Sequence, residues 1–192
     1  MKGRRALLNE SERARAAWTL GNHLLRFLER RPERTIGVYL SRPHEISLDP
    51  TISALLHGGY TVAAPRVDLE RGIMSFWRLS SLEDVERGPW NVREPRMEQP
   101  VEDIPLIMAP GLAFDPNGGR LGMGGGWYDR YLTQARCVVG VTFDCEIIAE
   151  VPLEEHDVKV DFVASESRFI DVNGPDSPYK RKRLYRGVSF PL

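Results

Sequence analysis

Cysteine is almost missing from this chain: Cys137 and Cys145 are the only two in 192 residues. They flank the apolar run "VVGVTFD" and fit no metal-ligand spacing, and the four histidines (His23, His44, His57, His156) are scattered. Neither a zinc centre nor a disulfide framework is indicated, and two buried, reduced thiols are expected. No apolar run approaches the ~20 residues needed to cross a bilayer. The opening "MKGRRALLNESER" carries positive charge with no apolar segment behind it, unlike a secretory signal. A cytoplasmic protein is the expectation. Excess charge is also lacking, since the net value is −1. Its distribution is uneven: Lys180, Arg181, Lys182, Arg183 and Arg186 against Asp176 give the last twenty residues +4, leaving −5 for the body. A basic run so near a terminus reads as a solvated end rather than a nucleic-acid contact.

What is present is ordinary for a soluble domain, with 42% hydrophobic and 28% charged residues. Residues 1–172 are expected to form a single α/β domain and 173–192 a basic, flexible tail. Asn9 and Glu12 have the spacing of a capping box, and Ala17, Leu20, Leu24 and Leu28 then recur at helical period, predicting a helix that ends near Arg31–Pro32. "TIGVYLS" (35–41) reads as a buried strand. "LDPTISALLHGGY" (48–60) reads as a helix with Asp49 as N-cap, Pro50 at the first position and Gly58–Gly59 as the stop. Strands follow at 61–67 and 72–79, a short helix plus loop at 80–105, and a buried strand at "LIMAP" (106–110). A helix beginning within "GGWYDRYLTQA", the strand "CVVGVTFD" and a last strand around "DFVAS" complete the order. Alternation of this kind implies a three-layer, mostly parallel open α/β sheet with helices on both faces, Rossmann-like but without the dinucleotide fingerprint. Such sheets bind ligands beyond the carboxyl ends of their strands.

One stretch at such a position stands out. "GGRLGMGGGWYDR" (118–130) places six glycines in nine positions and then turns aromatic and charged. It is not a Walker loop, because Trp127 follows Gly126 where Lys-Ser/Thr is required, and the dinucleotide and kinase patterns fail at the same residue. A strand, a glycine-rich turn and a helix start nevertheless gather backbone N–H groups around one point that a polyphosphate can approach. Arg120 can add a charged fork. Asp129 can hold a magnesium ion, directly or through water.

"PGLAFDPNGGRLGMGGGWYDRYL" (110–132) resembles the signature segment of the 5-formyltetrahydrofolate cyclo-ligase (5,10-methenyltetrahydrofolate synthetase) family. "RRALLNESERAR", "VYLSRPHEI", "VAAPRV", "GPWNVREP" and "VPLEEHDVKVD" resemble its other motifs in the same order, so the likeness spans roughly residues 4–165. The resemblance implies conversion of 5-formyltetrahydrofolate, ATP and magnesium into 5,10-methenyltetrahydrofolate, ADP and phosphate. It further implies that Arg120, Leu121, Gly122, Met123, Gly124, Gly125, Gly126, Trp127 and Tyr128 line the ATP phosphates, with Arg120 and Asp129 catalytic. The resemblance also makes Leu40 and Glu45 the expected folate-side contacts, joined by Met123, Gly124, Gly125, Gly126 and Trp127 near the formyl group. By the same resemblance, Asp129 and Asp157 are expected to be the magnesium-linked acids.

The chain departs from the family in two places. Lys2, Arg4 and Arg5 do not align with the Lys/Arg pair of a further N-terminal segment in many members, and Gly125 stands where some members have lysine. Phosphate neutralisation is thus expected to lean on Arg120 and magnesium. The expected partners are 5-formyltetrahydrofolate and ATP, with no nucleic acid, no membrane and a monomeric chain. Because the resemblance ends near residue 165, truncation after Ser167 is expected to leave activity largely unchanged. Two rival classes fit an open α/β sheet: a phosphosugar isomerase or CoA transferase, which consumes no ATP, and a non-catalytic nucleotide sensor, which releases no phosphate.

Overall fold

The computed structural model describes residues 7–154 and 157–174; the basic C-terminal run and Lys2, Arg4 and Arg5 lie outside the described residues. The first helix, α1 (Glu10–Glu29), starts at the capping box: the Glu12 N–H donates to Asn9 Oδ1 and the Asn9 N–H to Glu12 Oε2, each at 2.9 Å. Such a cap contributes about 1 kcal/mol. Its periodic residues Ala17, Leu20, Leu24 and Leu28 are all buried. The helix stops short of Arg31–Pro32, since the residue before a proline is driven out of the helical region.

Seven strands form the central sheet, in the order β11-β10-β9-β6-β1-β2-β3. They are β1 (Thr35–Gly37), β2 (Thr61–Asp68), β3 (Ile73–Arg78), β6 (Leu106–Pro110), β9 (Cys137–Val141), β10 (Phe162–Ala164) and β11 (Phe169–Asp171). The inner five are parallel, and β3 and β11 run antiparallel at the two edges. Both faces of the inner strands are apolar. Leu106, Met108 and Val139 join one core with α1 and α2 (Asp49–His57), while Ile107, Ala109 and Val138 join another with α3 (Trp127–Leu132). The placement of the helices follows from handedness. The β1–α2–β2 and β6–α3–β9 crossovers run in opposite directions along the sheet, so right-handed connections put their helices on opposite faces. The neighbours β1 and β6 are therefore the point where the winding reverses.

Several expectations are corrected. Asp49 is the first residue of α2 rather than its cap, and its carboxylate receives both Nη groups of Arg93, at 2.8 and 2.9 Å. Residues 80–105 contain no α-helix. They form the hairpin β4 (Val85–Arg87) and β5 (Arg93–Pro95) around a 3-10 turn, Pro89–Asn91, because Gly88-Pro89 breaks any helix and Trp90 and Asn91 reverse the chain at φ 54° and 58°. A second small hairpin, β7 (Ala113–Phe114) with β8 (Arg120–Leu121), leads into the glycine run. Cys137 is buried and Cys145 only half so. Truncation after Ser167 would remove β11, whose Phe169 packs against Phe27 at 4.9 Å and Phe162 at 5.8 Å, so that segment is part of the body. No helix among the described residues is long and apolar enough to cross a membrane.

Candidate active site

Where the winding reverses, the loops leaving β1 and β6 part around a cleft of about 620 Å³. Its wall contains Leu40, Glu45, every residue from Arg120 to Asp129, and Asp157. Residues singled out in three separate motifs thus share one cavity.

The glycine run is anchored from below before it reaches the cleft. Phe114 lies fully buried against the sheet, in space left by Gly140, where a Cβ would come within 2.2 Å of its ring. Asp115, also buried, accepts N–H bonds from Asn117 (2.8 Å), Gly119 (2.9 Å) and Val151 (2.8 Å). One carboxylate therefore ties the hairpin to the segment that carries Asp157. The first glycines of the run serve this packing: a Cβ on Gly119 would sit 2.3 Å from the Asp115 carboxylate. Gly124 is different. It has φ +87° with open space around it, so its lack of a side chain leaves exposed backbone free to be approached. The helix that follows, α3, has six residues, so its dipole is a minor source of positive potential here.

Arg120 and Asp129, expected to act separately on phosphate and metal, form an ion pair with each other. Arg120 Nη2 lies 2.6 Å from Asp129 Oδ1, and the two side chains are only 4% and 15% exposed. The Val158 N–H donates to the same oxygen at 3.4 Å, and Arg120 Nη1 donates to the Pro110 carbonyl at 3.4 Å. The guanidinium lies 5.8 Å from the ring centre of Tyr128. Arg120 Nε is buried without a hydrogen-bond partner among the described residues. Burial, with Glu45 adding to it, pushes the Tyr128 phenol well above its ordinary range against the opposing charges of Arg120 and Arg42, so it remains a proton donor at neutral pH.

On the opposite wall, Leu40 is buried and Tyr39 donates its hydroxyl to the Ile46 carbonyl at 2.7 Å, closing the loop after β1. Within that loop Glu45 Oε2 accepts the Arg42 N–H at 2.8 Å. Trp90, held in its left-handed turn and 58% exposed, faces Trp127 edge-on with centroids 6.3 Å apart. Asp157 Oδ2 accepts the Glu154 N–H at 2.7 Å.

Magnesium needs only one or two carboxylates when phosphates and waters complete its octahedron. Asp129 and Asp157 line the same cleft, each with one oxygen already in a hydrogen bond, and no group of three metal-binding acids, histidines or cysteines occurs among the described residues. That donor set fits an ion carried in on a polyphosphate and does not fit a closed protein cage.

Tyr39, Arg42, Arg93 and Glu94 are among the cleft residues that were not assigned roles from the sequence. Glu94 is the most telling. It is 3% exposed, accepts the Val67 N–H at 3.0 Å and lies 3.7 Å from Arg66 Nη2, and burial raises its carboxyl above the usual range. In the charged passage "VREPR" nothing local marks this glutamate as the one that turns inward.

Comparison with known proteins agrees with the geometry. The family model for the 5-formyltetrahydrofolate cyclo-ligase family matches residues 1–166. The mouse 5-formyltetrahydrofolate cyclo-ligase is 30% identical over 184 residues, covering 86% of this chain and 90% of the relative. The Haemophilus influenzae protein of the same name is 28% identical over 163 residues, covering 80% and 87%. The NMR structure of Aquifex aeolicus 5,10-methenyltetrahydrofolate synthetase has a TM-score of 0.80 at 26% identity, over 96% of this chain and 95% of that one. Alike in sequence and in fold over most of its length, the chain belongs to the 5-formyltetrahydrofolate cyclo-ligase family.

Proposed function

We propose that this protein is a cytoplasmic enzyme that converts 5-formyltetrahydrofolate to 5,10-methenyltetrahydrofolate with ATP and magnesium, releasing ADP and phosphate. The observation that carries the reading is the single cleft lined by Leu40, Glu45, the Arg120–Asp129 run and Asp157. Its chemistry follows from the bond to be broken. The formyl group on N5 is an amide, and its oxygen cannot leave as such. Transfer of the γ-phosphoryl group to that oxygen makes it a phosphate leaving group. N10 then attacks the formyl carbon and loses its proton, the carbon–oxygen bond breaks, and the ring closes. Little covalent work falls to the protein, so positioning and charge neutralisation carry the catalysis.

In this reading the backbone N–H groups of Gly122 through Gly126 hold the phosphates. Leu121, Trp127 and Tyr128 border them, and Met123 through Trp127 also face the formyl group. Arg120, kept rigid by Asp129, places positive charge at the transfer point. The protonated Tyr128 phenol is a donor on the same wall. Leu40 gives the pterin an apolar surface, and Glu45 accepts from its N–H groups. Asp129 and Asp157 would hold magnesium, which when bound neutralises phosphate charge.

The test is incubation of the protein with 5-formyltetrahydrofolate, ATP and magnesium, following the near-ultraviolet absorbance of the methenyl product. ADP and phosphate are expected one for one with product, and oxygen-18 placed in the formyl group is expected in the phosphate. Product formation with unlabelled phosphate overturns the phosphorylated intermediate. Turnover without ATP would point to an isomerase or transferase, and ATP binding without product to a nucleotide sensor.

A further inference from the structure

Among the described residues, three arginines line the cleft: Arg42, Arg93 and Arg120. Two of them are already engaged with carboxylates. Arg93 is clamped on Asp49 by two bonds of 2.8 and 2.9 Å, and Arg120 is held by Asp129 at 2.6 Å. Arg42 has no such partner among the described residues. Its Nη1 lies 2.7 Å from the Met123 sulfur, and its guanidinium carbon lies 6.0 Å from the Trp90 ring centre. A guanidinium carries five donors, whereas a thioether is a weak acceptor. An oxyanion offers a guanidinium an opposite charge and two strong acceptor atoms, neither of which a thioether supplies, so an oxyanion within reach displaces the sulfur.

The backbone of Arg42 is held in advance. Its N–H donates to Glu45 Oε2 at 2.8 Å and its carbonyl accepts the Glu45 N–H at 3.0 Å. The charge is therefore presented at the mouth of the cleft between the loop after β1 and the glycine run, with Met123 on the far side 56% exposed and able to withdraw.

We propose that Arg42 is the cation that receives an oxyanion of a bound substrate, giving up Met123 and the Trp90 face to do so. This rests on the folate and ATP reading above. Two sources supply that chemistry, a carboxylate of the folate's glutamyl tail and a phosphate oxygen of the nucleotide, and kinetics separates them.

The variants are Arg42→Gln, which keeps the polarity and removes the charge, and Arg42→Lys, which keeps the charge. Steady-state rates would be measured with 5-formyltetrahydrofolate, with 5-formyltetrahydropteroate lacking the glutamyl group, and over a range of ATP and salt. Loss of one charge-assisted hydrogen bond is expected to raise one KM roughly ten-fold in Arg42→Gln, with kcat and melting temperature nearly unchanged and partial recovery in Arg42→Lys. A rise confined to the folate that retains its glutamyl group identifies the tail carboxylate; a rise in the ATP KM identifies the phosphate. In either case the wild-type KM climbs with salt and the Arg42→Gln value climbs less, because the screened charge is gone. If the wild type turns over and neither KM moves in Arg42→Gln, the proposal fails. A lowered melting temperature with equal rises in both KM values overturns it too, since it marks a merely structural tie. Absence of any wild-type product instead defeats the functional reading; calorimetric titration of wild type and Arg42→Gln with ATP and with 5-formyltetrahydrofolate then tests Arg42, equal affinities overturning the proposal.

Discussion

On one face of the sheet, α1 and α2 press Leu20, Leu24, Leu28, Ile52 and Leu55 into a dry layer with Val38, Met108 and Val139. Beyond the carboxyl ends of the same strands, the chain keeps three arginines, several acids and an open glycine run around a cleft. The helical face gains stability from side chains removed from water, about 2 kcal/mol for each fully buried leucine. The cleft holds charge near low-dielectric walls and leaves backbone uncovered, which stabilises nothing until a ligand arrives. On the function proposed above, stability and activity are divided between two regions of one sheet, joined by residues such as Asp115 and Gly140 that pack under the cleft.

That division can be broken experimentally, and the ranking by stability should differ from the ranking by activity. Leu24→Ala, fully buried on α1, should have the largest effect on folding, about 3 kcal/mol. It should leave the KM values unchanged in the fraction that stays folded; chemical denaturation and kinetics below the melting point check both halves. Asp129→Asn stands between the regions. It leaves the buried Arg120 without its counter-charge, so it should cost about 2 kcal/mol as well as most of the turnover. Near wild-type rates in that variant would remove Asp129 from the site.

Deleting the chain after Ser167 takes away β11 and the Phe169 contacts, and should cost about 1.5 kcal/mol. Deletion after Gly174 is the comparison, and the difference in melting temperature between the two variants isolates the contribution of residues 168–174. Gly124→Val should cost only about 1 kcal/mol, the strain of a branched residue at positive φ in an exposed turn, yet it should abolish ATP binding in calorimetric titration. Unchanged affinity would refute the phosphate cradle.

The smallest effect is expected at a residue that does not line the cleft. The hydrogen bond from Arg168, with help from Ser165, holds the Asp144 carboxyl below the usual carboxylate range. Because the folded value is depressed, the pair contributes stability above the unfolded value and loses it as pH falls through the folded one. Arg168 is 46% exposed, so screening limits the contribution to about 0.5 kcal/mol. Asp144→Asn should therefore be slightly less stable at neutral pH and equal to wild type in strong acid, as denaturant titrations at both can show.

Much was legible from residue order alone. The Asn9–Glu12 cap, the period of α1, the buried strands and the glycine run declare themselves through interactions a few residues apart. The residues Leu40, Glu45, Arg120–Asp129 and Asp157 were marked by motif. Only the tertiary structure decided that Arg120 pairs with Asp129, that Glu94 turns inward, that residues 85–95 form a hairpin, that β11 closes the sheet, and that Arg42 meets Met123 across the cleft. The reason is physical. Caps, turns and periodicity are set by forces within one or two turns of chain, whereas the partner of a charge or of an edge strand depends on which distant segment the winding of the sheet returns to that place.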